Sequence, residues 1–435
     1  MPAGATQLLG EYRSEWAINS IFGQETFGIL NRLFLTVAGR FDASSVFGKN
    51  DRWQFYPKVS ADYVLSEENF WKNSFLAKYV PTLKLRGAFG ESGGLTAIGP
   101  YDRFTLYPPV SYDGKSGLIP SAQLGASDVK PEREREFEVG TDLSLLSDRI
   151  GVEFTYYRRS TKDLLLTRSL SPSTGYSSAL INVGTLDDWG TELLLRVIPI
   201  DGFVRWTSTV TFASDRNKIR NVPGGLLQLA FGFGIAAAVD GEPFPVFYGS
   251  AFQRDANGNI VYDANGIPQR ATQNKVIGNP NPKFIGSFIN EVNIGRDWFI
   301  RLQFDAVFGQ DVFNFTRRLG DYPAFGTLVD YQKELEGSLP AGYNKAVFSI
   351  FENWIENGSY VKLRELSVSK TFYPKFFNIS SLQVSLIGRN LLVFTKYSGY
   401  DPEVNVGGQR TGIRGFDFVE VPIPRSALLK LAFNF

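Results

Sequence analysis

The closing segment reads Ser426-Ala427-Leu428-Leu429-Lys430-Leu431-Ala432-Phe433-Asn434-Phe435. Successive side chains of a strand point to opposite faces. Ala427, Leu429, Leu431, Phe433 and Phe435 therefore make one apolar row. Ser426, Lys430 and Asn434 make the other, with Leu428 and Ala432 as apolar exceptions. An apolar row backed by a polar row, closing on an aromatic, suits a wall between lipid and water.

The same alternation recurs upstream over residues 32–42, 53–65, 82–91, 136–145, 150–159, 189–197, 203–213, 298–308 and 382–392. The clearest case sets Trp298, Ile300, Leu302, Phe304, Ala306 and Phe308 against Arg301, Gln303 and Asp305. Weaker alternation covers 15–24, 283–294 and 360–372, where apolar parity switches at Arg364-Glu365 as a β-bulge would cause. With the terminal segment this predicts about 13 strands, most near the length of about ten residues that a tilted membrane strand needs.

The connections fall into two classes. Those at 24–32, 66–81, 147–149, 198–202, 295–297 and 373–381 are mostly short; those at 43–52, 92–135, 160–188, 214–282, 309–359 and 393–425 are mostly much longer. The classes alternate, as they do when up-and-down strands place short periplasmic turns on one rim and long extracellular loops on the other. The fold expected is all-β, a transmembrane antiparallel barrel. Single-chain bacterial barrels have even strand numbers. An odd count therefore predicts that residues 1–435 are a C-terminal portion of a larger barrel. A self-contained passive channel of about 14 strands is the alternative.

Composition agrees. The 435 residues include 37 Phe, 19 Tyr and 43 Gly, which suits strands and turns. There is no Cys and no His, which removes disulfides, thiol nucleophiles, Cys/His zinc sites and His bases. No enzymatic role, cofactor or metal is expected. Net charge is +1, so no global field favours a nucleic-acid partner. The first residues carry no secretory signal. No apolar run reaches the roughly 18 residues of a transmembrane helix. The nearest, LLQLAFGFGIAAAV at 226–239, is expected to be a loop segment that packs on itself or on a partner.

Several segments resemble the C-terminal barrel of the SusC/RagA family of TonB-linked outer-membrane receptors. They are RFDASSVFGKNDRW at 40–53, FYPKVSA at 55–61, LSEENF at 65–70, LKLRGAFG at 83–90, KPERE at 130–134 and YVKLRELS at 360–367. GRNLLVFTKYSGYDPE at 388–403 is the strongest. The resemblance runs in family order from about residue 32 to the end. It implies a barrel of about 22 strands, of which this chain supplies the last 13 or so. The family's signal peptide, TonB box and plug domain would lie N-terminal to it. It further implies cell outer-membrane localisation and active nutrient import. The substrate would be an oligosaccharide or a peptide, and the partners membrane lipid, the TonB system and a SusD-like lipoprotein lid. The final-strand residues Leu431, Phe433 and Phe435 would form the C-terminal assembly signal.

On this reading an inward polar row contacts plug, water or substrate, or is simply a solvated lumen wall. The row is Arg32, Arg40, Lys58, Asp62, Lys84, Arg86, Glu138, Asp142, Glu192, Arg196, Arg205, Arg301, Asp305 and Arg389. Asp255-Ala256-Asn257-Gly258-Asn259 and Asp263-Ala264-Asn265-Gly266 resemble calcium-loop fragments but lack a closing Glu, so hairpin-type turns are expected. Gly232-Phe233-Gly234 has no strand–glycine–helix context and is not a nucleotide loop. Glu132, Glu134, Glu136 and Glu138 fit a solvated rim at a strand start, not a catalytic pair. Trp16, Trp53, Trp189, Trp206, Trp298 and Trp354 fall near strand ends or rims, where an indole suits a membrane interface. Loop aromatics Tyr107, Tyr112, Phe244, Phe247 and Tyr248 are open to sugar stacking or to loop packing.

Overall fold

The computed structural model describes residues 11, 13–94, 98–229, 233–322, 329–374, 379–408 and 412–435. The first residues, read above as carrying no secretory signal, and Gly232 lie outside them. Thirteen strands pair in chain order into one antiparallel wall. They are β1 (Ile18–Ile29), β2 (Leu33–Ser44), β3 (Trp53–Val64), β4 (Thr82–Gly94), β5 (Glu132–Leu145), β6 (Ile150–Ser169), β7 (Ser178–Asp201), β8 (Val204–Arg220), β9 (Phe284–Ile294), β10 (Trp298–Phe308), β11 (Tyr360–Phe372), β12 (Ser381–Thr395) and β13 (Ser426–Asn434). Each expected strand is present. The parity switch is a register shift between Leu363 and Glu365. No described helix is long and apolar enough to cross a membrane.

The path ends at β1 and β13, and among the described residues no ladder joins them. The described strands therefore form an open wall, whereas a closed channel would need a ladder between its two edges. Short turns join strands on one rim. Leu30 and Asn31 both take positive φ (52° and 54°) while Arg32 N–H donates to the Ile29 carbonyl at 3.0 Å, the two-residue turn whose twist matches its flanking strands.

Two long connections differ from expectation. Residues 160–188 were expected to form a loop, but most of them continue β6 and β7 as a projecting hairpin, in register to Ser169 opposite Ser178. The continued ladder satisfies the backbone, and both faces are covered. Leu164 and Leu166 enter one buried cluster, and Leu165 and Leu180 enter another. A strand buried on both faces reads as a continuous apolar run, so Leu164-Leu165-Leu166 shows no alternation. Likewise β8 runs on to Arg220, seven residues into the expected loop at 214–282.

The protein's main apolar core lies in the extracellular loops. Loops 221–283, 309–359 and 396–425 pack together around Ile235, Phe247, Phe313, Trp354 and Phe416, each at most 1% exposed. The run at 226–239 contributes two strands, Leu226–Gln228 and Ala236–Val239, to a four-stranded sheet. It packs on itself, one of its two expected fates, and on the other two loops of this core. The wall itself turns one side outward: Val37, Phe41, Phe55, Val59, Leu386 and Leu429 are 42–68% exposed. Rows of this kind need lipid to cover them.

Candidate functional site: the inner polar wall and its loop cover

Register decides which side chains share the inner face. Lys84 pairs with Asp142, Asp142 with Glu153, Glu192 with Thr155, Thr211 with Ser287, Ser287 with Asp305 and Glu365 with Arg389. Alternation then keeps the whole row on one side. Where the bulge shifts β11, Arg364 turns to the same side and meets Asp305 at 2.7 Å.

Much of the expected polar row forms a network. Lys84 bridges Asp62 at 3.0 Å and Asp142 at 3.7 Å, and Arg86 meets Asp142 at 2.9 Å. Arg301 meets Glu291 at 3.1 Å, and Arg389 meets Glu365 at 3.2 Å. Others stand apart. Arg32 joins Glu68 at the short-turn rim, Arg40 pairs with its own-strand neighbour Asp42, and Arg205 pairs with Asp201 across a turn. Lys58 and Glu138 line a recess of about 400 Å³. Arg86 and Thr155 join it to a second of about 620 Å³, which includes Glu192, Asp305, Tyr360, Arg364 and Glu403.

Glu132, Glu134, Glu136 and Glu138 lie within β5, which starts at Glu132. They sit at the strand start, as expected, but on the inner face instead of the rim. Glu132 accepts from the Leu165 amide at 2.7 Å, while Glu134, Glu136 and Glu138 face the smaller recess. Regular pairing extends four residues further toward the loops than alternation alone indicates, because charged side chains can occupy an inner face open to water.

Sequence reasoning missed the segment that reaches back over the larger recess. Loop 396–425 brings Asp401 and Glu403 to Lys362, each at 2.7 Å, and Glu403 also meets Arg364 at 3.1 Å. The strongest family motif carried both carboxylates. Its charges identify no partner until β11 and β12 are paired. The same loop is tied at Asp417, which accepts from Tyr397 at 2.5 Å and from Thr316 at 2.6 Å. Burial, then the bond to Asp417, pushes the Tyr397 phenol upward.

Three further expectations resolve. Both Asp-Ala-Asn-Gly fragments are turns. Asp255 accepts from the amides of Asn257 and Asn259 at 2.9 Å, and Asp263 from those of Asn265 and Ile267 at 2.8 and 2.9 Å. Trp354 is not at a membrane rim. It is 1% exposed in the loop core, where its Nε1–H finds the Val347 carbonyl at 3.1 Å. Trp16, Trp53, Trp189 and Trp298 are 38–60% exposed, as rim residues would be. Phe244 and Phe247, at 3% and 1%, are core residues and cannot stack on a sugar, whereas Tyr107 is 57% exposed. The side chain of Tyr112 lies outside the described residues.

The family pattern described as "TonB dependent receptor-like, beta-barrel" matches residues 5–269. The chain belongs to that family. It is a β-barrel protein of the outer membrane, and the SusC/RagA resemblance holds. TonB-dependent receptor P3 of Formosa agariphila is 27% identical over 470 residues, covering 98% of this chain and 46% of the relative. TonB-dependent receptor SusC of Bacteroides thetaiotaomicron is 27% identical over 225 residues, covering 49% of this chain and 22% of its own length. The structure of the RagAB peptide importer in its "closed-closed" state superimposes with a TM-score of 0.82 at 21% identity, covering all of this chain and 49% of that one. That likeness concerns the fold alone. The chain thus spans about half the length of the curated relatives it matches.

Proposed function

We propose that this chain forms part of a TonB-linked importer that carries a nutrient, an oligosaccharide or a peptide, across the outer membrane. The observation that carries this reading is the continuous inner polar wall, with its 620 Å³ recess reached by an extracellular loop through Glu403. Such a wall is lined to guide a polar solute, and its outer row suits lipid. The TonB system and a SusD-like lipoprotein lid are the partners this reading requires. It requires no catalytic step.

The test is uptake by cells that depend on this gene. Growth on candidate oligosaccharides and peptides identifies the nutrient, and its uptake is then followed with and without proton-motive force. Energised import predicts that uptake stops when the force is collapsed. Uptake that continues undiminished would mark a passive channel and contradict the proposal.

A further inference from the structure

Arg318 lies in the short helix Phe315–Gly320 of loop 309–359. Its guanidinium carbon is 3.8 Å from the centroid of the Phe348 ring, 4.8 Å from Phe351 and 5.2 Å from Phe315. Nε–H donates to the Phe348 carbonyl at 3.1 Å. Among the described residues no carboxylate pairs with it. The adjacent Arg317 behaves differently, meeting Glu356 at 3.1 Å. Burial lowers the Arg318 guanidinium to about 10, so it stays charged at neutral pH while losing hydration. A cation in this state, with a planar fork of donors to offer, is matched by a carboxylate or a sulfate.

The rings continue past it. Phe315 lies 4.7 Å from Phe233 and 5.2 Å from Phe418, which are 5.0 Å from one another. Phe233 and Phe418 are 37% and 36% exposed, unlike the buried aromatics of the loop core. Phe315 thus links the guanidinium to these two rings, and a mostly apolar surface with a few polar groups is the usual composition of a small-molecule site.

We propose that Arg318, Phe233 and Phe418 form a binding site for an anionic oligosaccharide. The guanidinium takes a carboxylate or sulfate ester, and a ring face takes the C–H face of a sugar. A peptide fits less well: a sugar ring can lay its C–H face on the strip and keep its hydroxyls in water, whereas a peptide backbone laid there turns amides onto rings that offer no paired donors or acceptors. The proposal rests on the import reading above and narrows its substrate.

The test is calorimetric titration of the full chain in detergent micelles. The probes are trigalacturonate, its methyl ester, a sulfated disaccharide and triglutamate. Trigalacturonate, the sulfated disaccharide or both should bind, identifying the acid group, while the methyl ester and triglutamate bind more weakly. Arg318→Gln should weaken the anionic sugar roughly tenfold or more, with Arg318→Lys retaining part of the affinity. Phe418→Ala should weaken trigalacturonate and its ester alike. Matching thermal melts exclude a folding defect, and Arg318→Lys serves if the Gln variant does not fold. Unchanged anionic-sugar affinity in folded Arg318→Gln would overturn the proposal. So would triglutamate binding as tight and as Arg318-dependent, or no binding of either anionic sugar by the unsubstituted chain. Energised uptake of another nutrient alongside flat titrations would leave the import reading standing and remove only this one.

Discussion

Lys362 Nζ lies 2.7 Å from Asp401 Oδ1, and the two side chains are only 4% and 7% exposed. This pair ties wall strand β11 to loop 396–425. Removing one partner of a buried pair leaves an uncompensated charge, which costs about 3–5 kcal/mol. Lys362→Met leaves Asp401 buried without its cation, while Glu403 keeps Arg364, and should therefore lower the melting temperature of the micellar protein sharply. Lys362→Met combined with Asp401→Leu should recover much of the loss, since apolar replacement of a whole buried pair is often close to neutral. Thermal unfolding of the three proteins checks both outcomes.

A second tie is sensitive to acid. Glu352 accepts from Arg254 at 2.9 Å and from the Phe252 amide at 2.8 Å. Burial alone would raise its carboxyl, but the bonds from Arg254 and Phe252 outweigh it and hold the group below its usual range. A depressed carboxyl stabilises the fold above its unfolded value of about 4.3. That contribution disappears as pH falls through the lower folded value. Hydrogen-exchange protection of residues 251–271, corrected for intrinsic rates, should hold between neutral pH and about 5 and fall in more acid solution. Glu352→Gln should remove that acid-dependent step.

Gly190 faces the inner wall beneath Tyr157. A Cβ there would collide with the Tyr157 hydroxyl and the Ser214 carbonyl. Tyr157 would then be pushed from Asp215, to which it donates at 2.9 Å. Gly190→Ala should cost about 1–3 kcal/mol. Gly23→Ala, where nothing lies within 4 Å, should leave unfolding within about 1 kcal/mol of the parent protein. Parallel denaturation curves compare them.

We propose that Leu431, Phe433 and Phe435, which are 52%, 48% and 84% exposed, are the residues read by the assembly machinery. Phe435→Ala should reduce the amount of assembled protein in the outer membrane severalfold while leaving the melting of the assembled fraction unchanged. Fractionation followed by heat-modified gel mobility measures both.

The wall was legible because one side faces lipid and the other water, so each strand states its register in its own residues. Even the bulge at Arg364-Glu365 showed as a parity break. The loop module was not legible in the same way. Its core is assembled from Phe247, Phe313 and Phe416 on three separate connections, and no local period links them. Burial on both faces hid the β6–β7 extension. Arg364 was passed over because it stands at the parity break itself. Asp401 and Glu403 lay in a recognised motif, but only three-dimensional pairing identifies Lys362 and Arg364 as their partners.

The chain has no cysteine, so the two faces of the wall can be probed residue by residue. Spin labels would be placed singly at 299–306 of β10 in protein reconstituted in lipid, and their collision rates with oxygen and with a water-soluble nickel chelate measured. Labels at Ile300, Leu302, Phe304 and Ala306 should favour oxygen, while labels at Arg301, Gln303 and Asp305 should be shielded from lipid. A profile without period-two alternation, or one with the polar residues on the oxygen-rich side, would contradict the account.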